Sequence, residues 1–248
     1  MISDENSLQD MVHFAQKIVF FGGAGVSTAS GIPDFRSAFG LYRSIKGTTY
    51  EAMLSIDYFH SNQDDFWTFY KDILLYPNAQ PNPAHIALAK LEEMGKLRAI
   101  LTQNIDGLHQ AAGSKNVLEL HGSVHHNSCL RCRKQYNLHY VLAQSTTPHC
   151  DSCGGVLRPD IILYGEPLDE QVLRKSISAV KSCDLMIVGG TSLMVHPAAS
   201  LIDYLPKNAQ LVLINRSSTP YDKKAQLLIH DDISVVLSNA LTKVQAER

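Results

Sequence analysis

Four of the chain's five cysteines fall in two close pairs, Cys129-x-x-Cys132 and Cys150-x-x-Cys153, separated by residues 133–149. Two short loops at this spacing can set four thiolates tetrahedrally around Zn²⁺ at ~2.3 Å. Four thiolates leave the metal no open position, so the expected ion is structural. Two unconnected pairs of buried thiols, or a redox dithiol, are the competing readings. A thioredoxin-like dithiol would follow a strand and open a helix, and neither pair is expected to do so. Cys183 borders an apolar run and reads as a buried thiol.

A second concentration of chemistry is Gly22-Gly23-Ala24-Gly25-Val26-Ser27-Thr28, after the apolar run Ile18-Val19-Phe20-Phe21 and before an expected helix start. Glycines there let the backbone approach a phosphate, and a helix start offers free N–H groups. A second glycine turn, Gly189-Gly190-Thr191-Ser192, and a polar strand end, Asn215-Arg216-Ser217, repeat the setting. Three polar strand ends along one sheet edge suit an extended ligand such as a dinucleotide. The usual dinucleotide fingerprint is incomplete, because Thr28 stands at the third glycine and no acidic strand end follows ~20 residues on. That disfavours an ordinary dehydrogenase and favours a nucleotide cut at its nicotinamide bond.

The elements that must position these residues follow from periodicity. Leu8, Met11, Val12 and Ala15 predict an amphipathic helix over 7–16. Asn82-Pro83 predicts a helix start, Ala84, Ala87, Leu88, Leu91 and Met94 its apolar face, and Gly95 its end. Leu173, Ile177 and Val180 predict another helix. Apolar runs at 18–21, 98–102, 117–120, 185–188 and 210–214 alternate with such patterns. Strands that are apolar throughout mean a parallel sheet covered on both faces, hence an α/β fold. The aromatic, helical stretch 39–79 and the cysteine-bearing stretch 129–155 break the rhythm. Both read as insertions forming a smaller domain that faces the strand ends.

With 248 residues, 45% of them hydrophobic, the chain can bury a real core. A net charge of −2 gives no sign of direct nucleic-acid binding through a basic surface. No apolar run reaches the ~18 residues of a spanning helix, and Met1 to Asp10 lacks a signal-peptide pattern. The expected setting is the cytoplasm, away from membranes, where paired cysteines bind metal rather than form disulfides. A monomer is expected.

In order along the chain, Gly23-Ala24-Gly25-Val26-Ser27, Gly31-Ile32-Pro33-Asp34-Phe35-Arg36, Gln103-Asn104-Ile105-Asp106-Gly107-Leu108-His109 and His121-Gly122 resemble the motifs of the sirtuin family of NAD-dependent protein deacylases. So do the cysteine pairs, Arg158-Pro159-Asp160, Tyr164-Gly165-Glu166, Gly190-Thr191-Ser192-Leu193 and Asn215. The resemblance runs from about Ile18 to Asn215, and the joint order of motifs carries it. It implies a Rossmann-like domain of residues 1–38, 80–122 and 156–248. A small domain would join a helical module, 39–79, to a zinc ribbon, 123–155.

The resemblance also implies site roles. Gly23, Ala24, Gly25 and Thr28 line the diphosphate and ribose of NAD, and Phe35 and Arg36 belong to a loop over the nicotinamide ribose. Ile105 and Asp106 hold the carboxamide, Gln103 and Asn104 the ribose and attacking groups. Thr191, Ser192, Asn215, Asp232 and Ile233 take the adenosine half. His121 is the general base, Asn104 and Asp106 its catalytic partners, and Cys129, Cys132, Cys150 and Cys153 the zinc ligands. Ile161 and Ile162 line the tunnel for an acyl-lysine stem. Gly165-Glu166 and Leu193-Met194-Val195 flank the protein or peptide substrate.

The implied activity is removal of acetyl from lysine onto ADP-ribose with release of nicotinamide. Protein mono-ADP-ribosylation and a non-catalytic NAD or acyl-lysine binding module are the alternatives. Read without the family, His121 is as well a turn residue, Asp34 and Asp106 helix caps, and His125 and His126 surface. The chain departs from the family at Gly22, where threonine is common, and at His230-Asp231-Asp232-Ile233, where many members have glycine. Members that take acidic acyl groups carry Tyr-x-x-Arg; the corresponding stretch here is Tyr70-Lys71-Asp72-Ile73, so a neutral acyl group is expected.

Overall fold

The computed structural model describes residues 4–34 and 49–246. Six strands form one parallel sheet: β1 (Ile18–Gly22), β2 (Leu97–Thr102), β3 (Val117–Glu119), β7 (Leu185–Gly189), β8 (Gln210–Ile214) and β9 (Leu227–Ile229). Their order across the sheet is β3-β2-β1-β7-β8-β9. β1 and β7 are buried along their whole length. Side chains alternate between the faces, so each central strand feeds two cores. Phe20, Ile100, Ile187 and Val212 pack with the helices α1 (Asp4–Phe14), α5 (Pro83–Glu93) and α9 (Ile233–Ala246) on one side. Val19, Phe21, Leu101, Met186 and Val188 pack on the other, against α8 (Glu170–Ser182) and the turn Ala198–Tyr204.

The chain runs outward from β1 to β2 and β3, then returns to the far side of β1 as β7. The crevice between the carboxyl ends of β1 and β7 is therefore the topological switch point, where open sheets of this kind bind ligands. Both glycine turns lie there.

A second, antiparallel sheet has the order β5-β4-β6, from β4 (Gly122–Cys129), β5 (Gln135–Asn137) and β6 (Leu157–Ile161). A third apolar cluster joins it to α2 (Tyr50–Met53), α3 (Ile56–Ser61) and α4 (Gln63–Leu74), with Phe59, Phe66, Trp67 and Tyr70 fully buried. No described helix is long and apolar enough to cross a membrane.

The structure corrects one expectation. No α-helix follows the first glycine turn; two short 3-10 turns, Ala24–Val26 and Thr28–Ser30, stand there. The polar run 27–30 offers no apolar face to dock, and Gly31 at φ 83° ends the second turn. The cysteine region holds a short helix, α7 (Leu138–Leu142), capped by Asn137 Oδ1 accepting from Tyr140 N. The first cysteine pair follows a strand, since Cys129 closes β4, but opens a turn, so it has the strand without the helix of a thioredoxin-like dithiol, in line with expectation.

Candidate functional site

The two glycine turns interlock. Gly25 N donates to Gly190 O at 2.8 Å and Gly23 N to Gly189 O at 3.4 Å. A Cβ on Gly25 would sit 2.7 Å from Gly190 Cα, one on Gly23 2.8 Å from Thr191 Cβ, and one on Gly190 2.4 Å from Val26 N. These glycines are thus required by the approach of one turn to the other, whatever the ligand needs. Gly22, where the family pattern has threonine, leaves room for Phe20, whose ring lies 2.6 Å from the position of a Cβ. Asn82 clamps the first turn from behind. Its side chain caps α5 through Ala84 N and donates to Val26 O and Ser30 Oγ.

The turns open onto a cavity of ≈ 520 Å³ between the two sheets' elements. Gly23, Ala24, Gly25, Thr28, Thr191, Ser192, Asn215, Asp232 and Ile233 line it, as do Gln103, Asn104, Ile105, Asp106 and His121. Ile161, Ile162, Gly165, Glu166 and Val195 complete the far wall. Phe35 and Arg36 lie outside the described residues.

Ser27 sits at the centre of the polar wall and is 1% exposed. Its hydroxyl donates to Asp106 Oδ2 at 2.6 Å and accepts from Asn104 Nδ2 at 3.0 Å. Asp106 Oδ1 accepts from Leu108 N, a turn bond just ahead of α6 (Leu108–Ala111), whose N-cap is Gly107, and Asp106 also lines the cavity. Gln103 Nε2 donates to Thr191 Oγ1, tying β2 to the second glycine turn. His121 Nδ1 lies 3.0 Å from Gln103 O. A carbonyl only accepts, so Nδ1 carries the proton and Nε2 keeps its lone pair. Burial pushes the His121 pKa down, against the opposing pull of the Gln103 carbonyl, which holds the ring neutral and basic at neutral pH.

At the Asn215 end of the cavity the carboxylate of Asp232 is fully engaged. Oδ1 accepts from Ser234 N and Oγ, capping α9, and Oδ2 pairs with Arg216 at 2.5 Å. Burial raises its pKa, but the Ser234 bonds and Arg216 outweigh that and leave it lowered. On the opposite wall, Glu166 Oε2 accepts from Leu163 N and Arg158, so its carboxylate shapes the 161–166 loop.

The Tyr70–Ile73 stretch does not reach the cavity. Tyr70 is buried with no hydroxyl partner among the described residues, and Ile73 packs in the small-domain core. Lys71 bonds the carbonyls of Gln144 and Thr146. Leu54, just after α2, and Leu74 and Tyr76, at the end of α4 and just beyond it, line the cavity instead. Sequence periodicity placed the aromatic residues of α4 together but had no signal for which face turned toward the site. Ser27, Leu54, Leu74, Tyr76 and Arg216 are the main additions to the nominated set.

The four paired cysteines converge, with all sulfurs within 4.8 Å of one another. Cys129–Cys153 and Cys132–Cys150 are 3.5 and 3.6 Å apart. Disulfides at ~2.05 Å are excluded, whereas a Zn²⁺ tetrahedron with ~2.3 Å bonds requires sulfurs ~3.8 Å apart. The donor set fits structural zinc. Tyr136 OH meets Cys150 Sγ at 2.9 Å, and Lys134 pairs with Asp151 beside it. Cys183 is buried, donates to Val180 O and has its pKa pushed up to about 12 by burial and then Asp184.

Residues 23–197 match the Sir2 family. A protein of Clostridium perfringens named NAD-dependent protein deacetylase is 54% identical over 238 residues, 95% of this chain and 98% of its own. The chain belongs to the Sir2 family. A Staphylococcus epidermidis protein of the same name is 46% identical over 236 residues, 94% of this chain and 95% of its own. Among solved structures, a Sir2 enzyme superposes with a TM-score of 0.90 at 37% identity over 100% of both chains. A Sir2 complex with p53 peptide and NAD⁺ superposes at 0.86 with 39% identity, covering 97% of this chain and 98% of that one. Family membership accounts for the parallel sheet and the four-cysteine cluster.

Proposed function

We propose that this chain is an NAD-dependent protein-lysine deacetylase that passes the acetyl group to ADP-ribose and releases nicotinamide. One observation carries the reading: a half-buried His121, held in the tautomer that leaves Nε2 free, faces one cavity together with Asn104 and Asp106. A module that only binds has no use for a base so prepared.

NAD supplies an anomeric carbon that becomes electrophilic as nicotinamide leaves. The chain's own groups do the rest. Asp106, its carboxylate locked by Ser27 and Leu108 N, presents a fixed edge for the carboxamide. Asn104, oriented through Ser27, points its amide at the ribose side. The interlocked turns at 23–25 and 190–192 hold the diphosphate, and Asn215 with Asp232 and Ile233 takes the adenosine half. His121 Nε2 removes a proton from a sugar hydroxyl so that its oxygen can attack the acyl carbon. Ile161 and Ile162 line the path of the lysine stem. The peptide adds in extended form between the 165–166 and 193–195 segments, where backbone bonds read little sequence.

In this reading residues 1–38, 80–122 and 156–248 form the nucleotide-binding domain, and 39–79 with 123–155 the small domain. One structural zinc per chain, a cytoplasmic location and a monomeric state go with it. Four unbridged cysteines placed for metal support a reducing compartment.

The test is to mix the purified protein with NAD and an acetyl-lysine peptide and follow free nicotinamide and peptide mass. Nicotinamide release matched by peptide deacetylation is expected. Nicotinamide release without deacetylation, with mass added to protein, would replace this reading with ADP-ribosyl transfer.

A further inference from the structure

The peptide unit that carries Asp106 is held from outside the nucleotide site. Strand β4 leaves His121 and runs toward Cys129 past the 105–107 turn. Val124 N donates to Ile105 O at 3.0 Å. The next residue continues the contact with its side chain: His125 Nε2 lies 3.0 Å from Asp106 O. The carbonyl can only accept, so Nε2–H donates, and both the Nε2–H tautomer and the imidazolium can do so. The imidazole also covers Gly107, where a Cβ would meet His125 Nε2 at 2.5 Å and where φ is +73°. Two successive carbonyls of the turn are thus fastened by two successive residues of β4.

His125 is exposed, does not line the cavity and has no place in the catalytic set. It belongs to neither the apolar core nor the cysteine cluster. Asp106's carboxylate is oriented by Ser27 and Leu108 N, but those bonds leave its backbone carbonyl unconstrained.

We propose that His125 is a positioning residue for nicotinamide: its Nε2–H on the Asp106 carbonyl, with its ring on Gly107, sets the angle at which the Ile105–Asp106 turn meets the carboxamide. This rests on the deacetylase reading of the site. The residue acts through Asp106 and touches no substrate. Its loss moves the nicotinamide end of the cavity and leaves the acyl-lysine wall, residues 161–166, where it was.

The experiment compares wild type, His125→Phe and His125→Gln. Phenylalanine keeps a ring over Gly107 but has no donor, and glutamine restores an N–H of similar reach. Active wild-type protein establishes the deacetylase reading independently. For His125→Phe, kcat/KM for NAD should fall about tenfold and inhibition by added nicotinamide should weaken by a similar factor, the scale set by a small misplacement of a positioning group. Peptide KM, zinc content and Tm should stay at wild-type values, and His125→Gln should recover to within about threefold. Wild-type NAD and nicotinamide constants in His125→Phe would overturn the proposal. So would losses shared equally by peptide KM, zinc content and Tm, or a His125→Gln variant as impaired as His125→Phe.

Discussion

Acidification should destabilise this fold through two histidines that are neutral in the native state. His85 and His109 are 0% and 1% exposed, with ring centroids 4.8 Å apart. Asn82 N donates to His85 Nδ1 in the α5 capping box, so a proton on that nitrogen breaks the cap. Neither nitrogen of His109 has a partner among the described residues. Burial lowers the His85 pKa to about 4, partly opposed by Asp106, and lowers that of His109 to about 3, with His85 adding to the effect. An unfolded histidine titrates near ~6.5, so below that pH the unfolded chain binds more protons and stability falls as pH falls. Each group contributes a slope of ~1.4 kcal/mol per pH unit between ~6.5 and its native value. Together they remove on the order of 4 kcal/mol between pH ~7 and ~5, a large share of the ~5–15 kcal/mol typical of a domain. Urea unfolding followed by circular dichroism at several pH values, with zinc in the buffer, measures this. His109→Phe separates the pair from other acid-sensitive groups, because it removes two unpartnered nitrogens and keeps an aromatic ring beside Phe20. The variant should match wild type within ~1 kcal/mol at pH ~7 and exceed it by ~2 kcal/mol at pH ~5. Parallel pH curves for the two proteins would refute the assignment.

His121→Ala should leave Tm unchanged and cut deacetylation by ~10² or more, measured as initial rate with saturating NAD and peptide. Substituting any one of Cys129, Cys132, Cys150 or Cys153 with alanine should reduce bound zinc below one per chain and lower Tm, with activity lost only as the fold is lost; an active, zinc-free protein of unchanged Tm would contradict this. An acetyl peptide should be used with higher kcat/KM than its succinyl counterpart. Among the described residues the one guanidinium or ammonium group lining the cavity, Arg216, is already paired with Asp232, and Leu54, Leu74 and Ile161 give a carboxylate no partner. Acetyl-lysine peptides differing in flanking sequence should be processed at similar rates, and strict dependence on one flanking residue would argue against a backbone-bonded peptide.

What could be read from the sequence follows how each element is buried. β1, β7 and β8 are legible as unbroken apolar runs because both faces of the sheet are covered, and α5 because Asn82, Pro83 and Gly95 mark its ends chemically. The cysteine spacing likewise located its cluster, since four ligands answer to one geometric demand. The 3-10 turns after β1 were not legible. A glycine turn leading to a helix and one leading to two short turns differ in what packs behind them, here Asn82 on Val26 O and Ser30 Oγ, a contact between residues far apart in sequence. The same holds for His125, a surface residue by composition whose partner is a backbone carbonyl on another loop. It holds again for α4, where Tyr70 and Leu74 are one turn apart and only the packing of the small domain decides which meets the cavity.

The placement of the cysteine cluster bears on why a structural metal should matter to chemistry in a distant cleft. β4 starts at Gly122, next to His121, and ends at Cys129, in the four-cysteine cluster. Between those ends it supplies Val124 N to Ile105 O and His125 to Asp106 O. Its pairing with β6 places Gly122 opposite Ile161, and His121 O accepts from Ile162 N. One strand therefore sets His121, the 105–107 turn and the 161–162 segment relative to each other. The short β5 and its turns bury few large apolar side chains, so the ribbon has little core of its own to keep that strand in place. Zinc would supply the missing constraint at one end, and the parallel sheet, through the Thr102–Leu120 backbone bond before His121, supplies it at the other. Loss of metal is then expected to remove all three contacts together as the fold is lost, with NAD and peptide use declining in step, whereas loss of the His125 donor alone separates NAD from peptide.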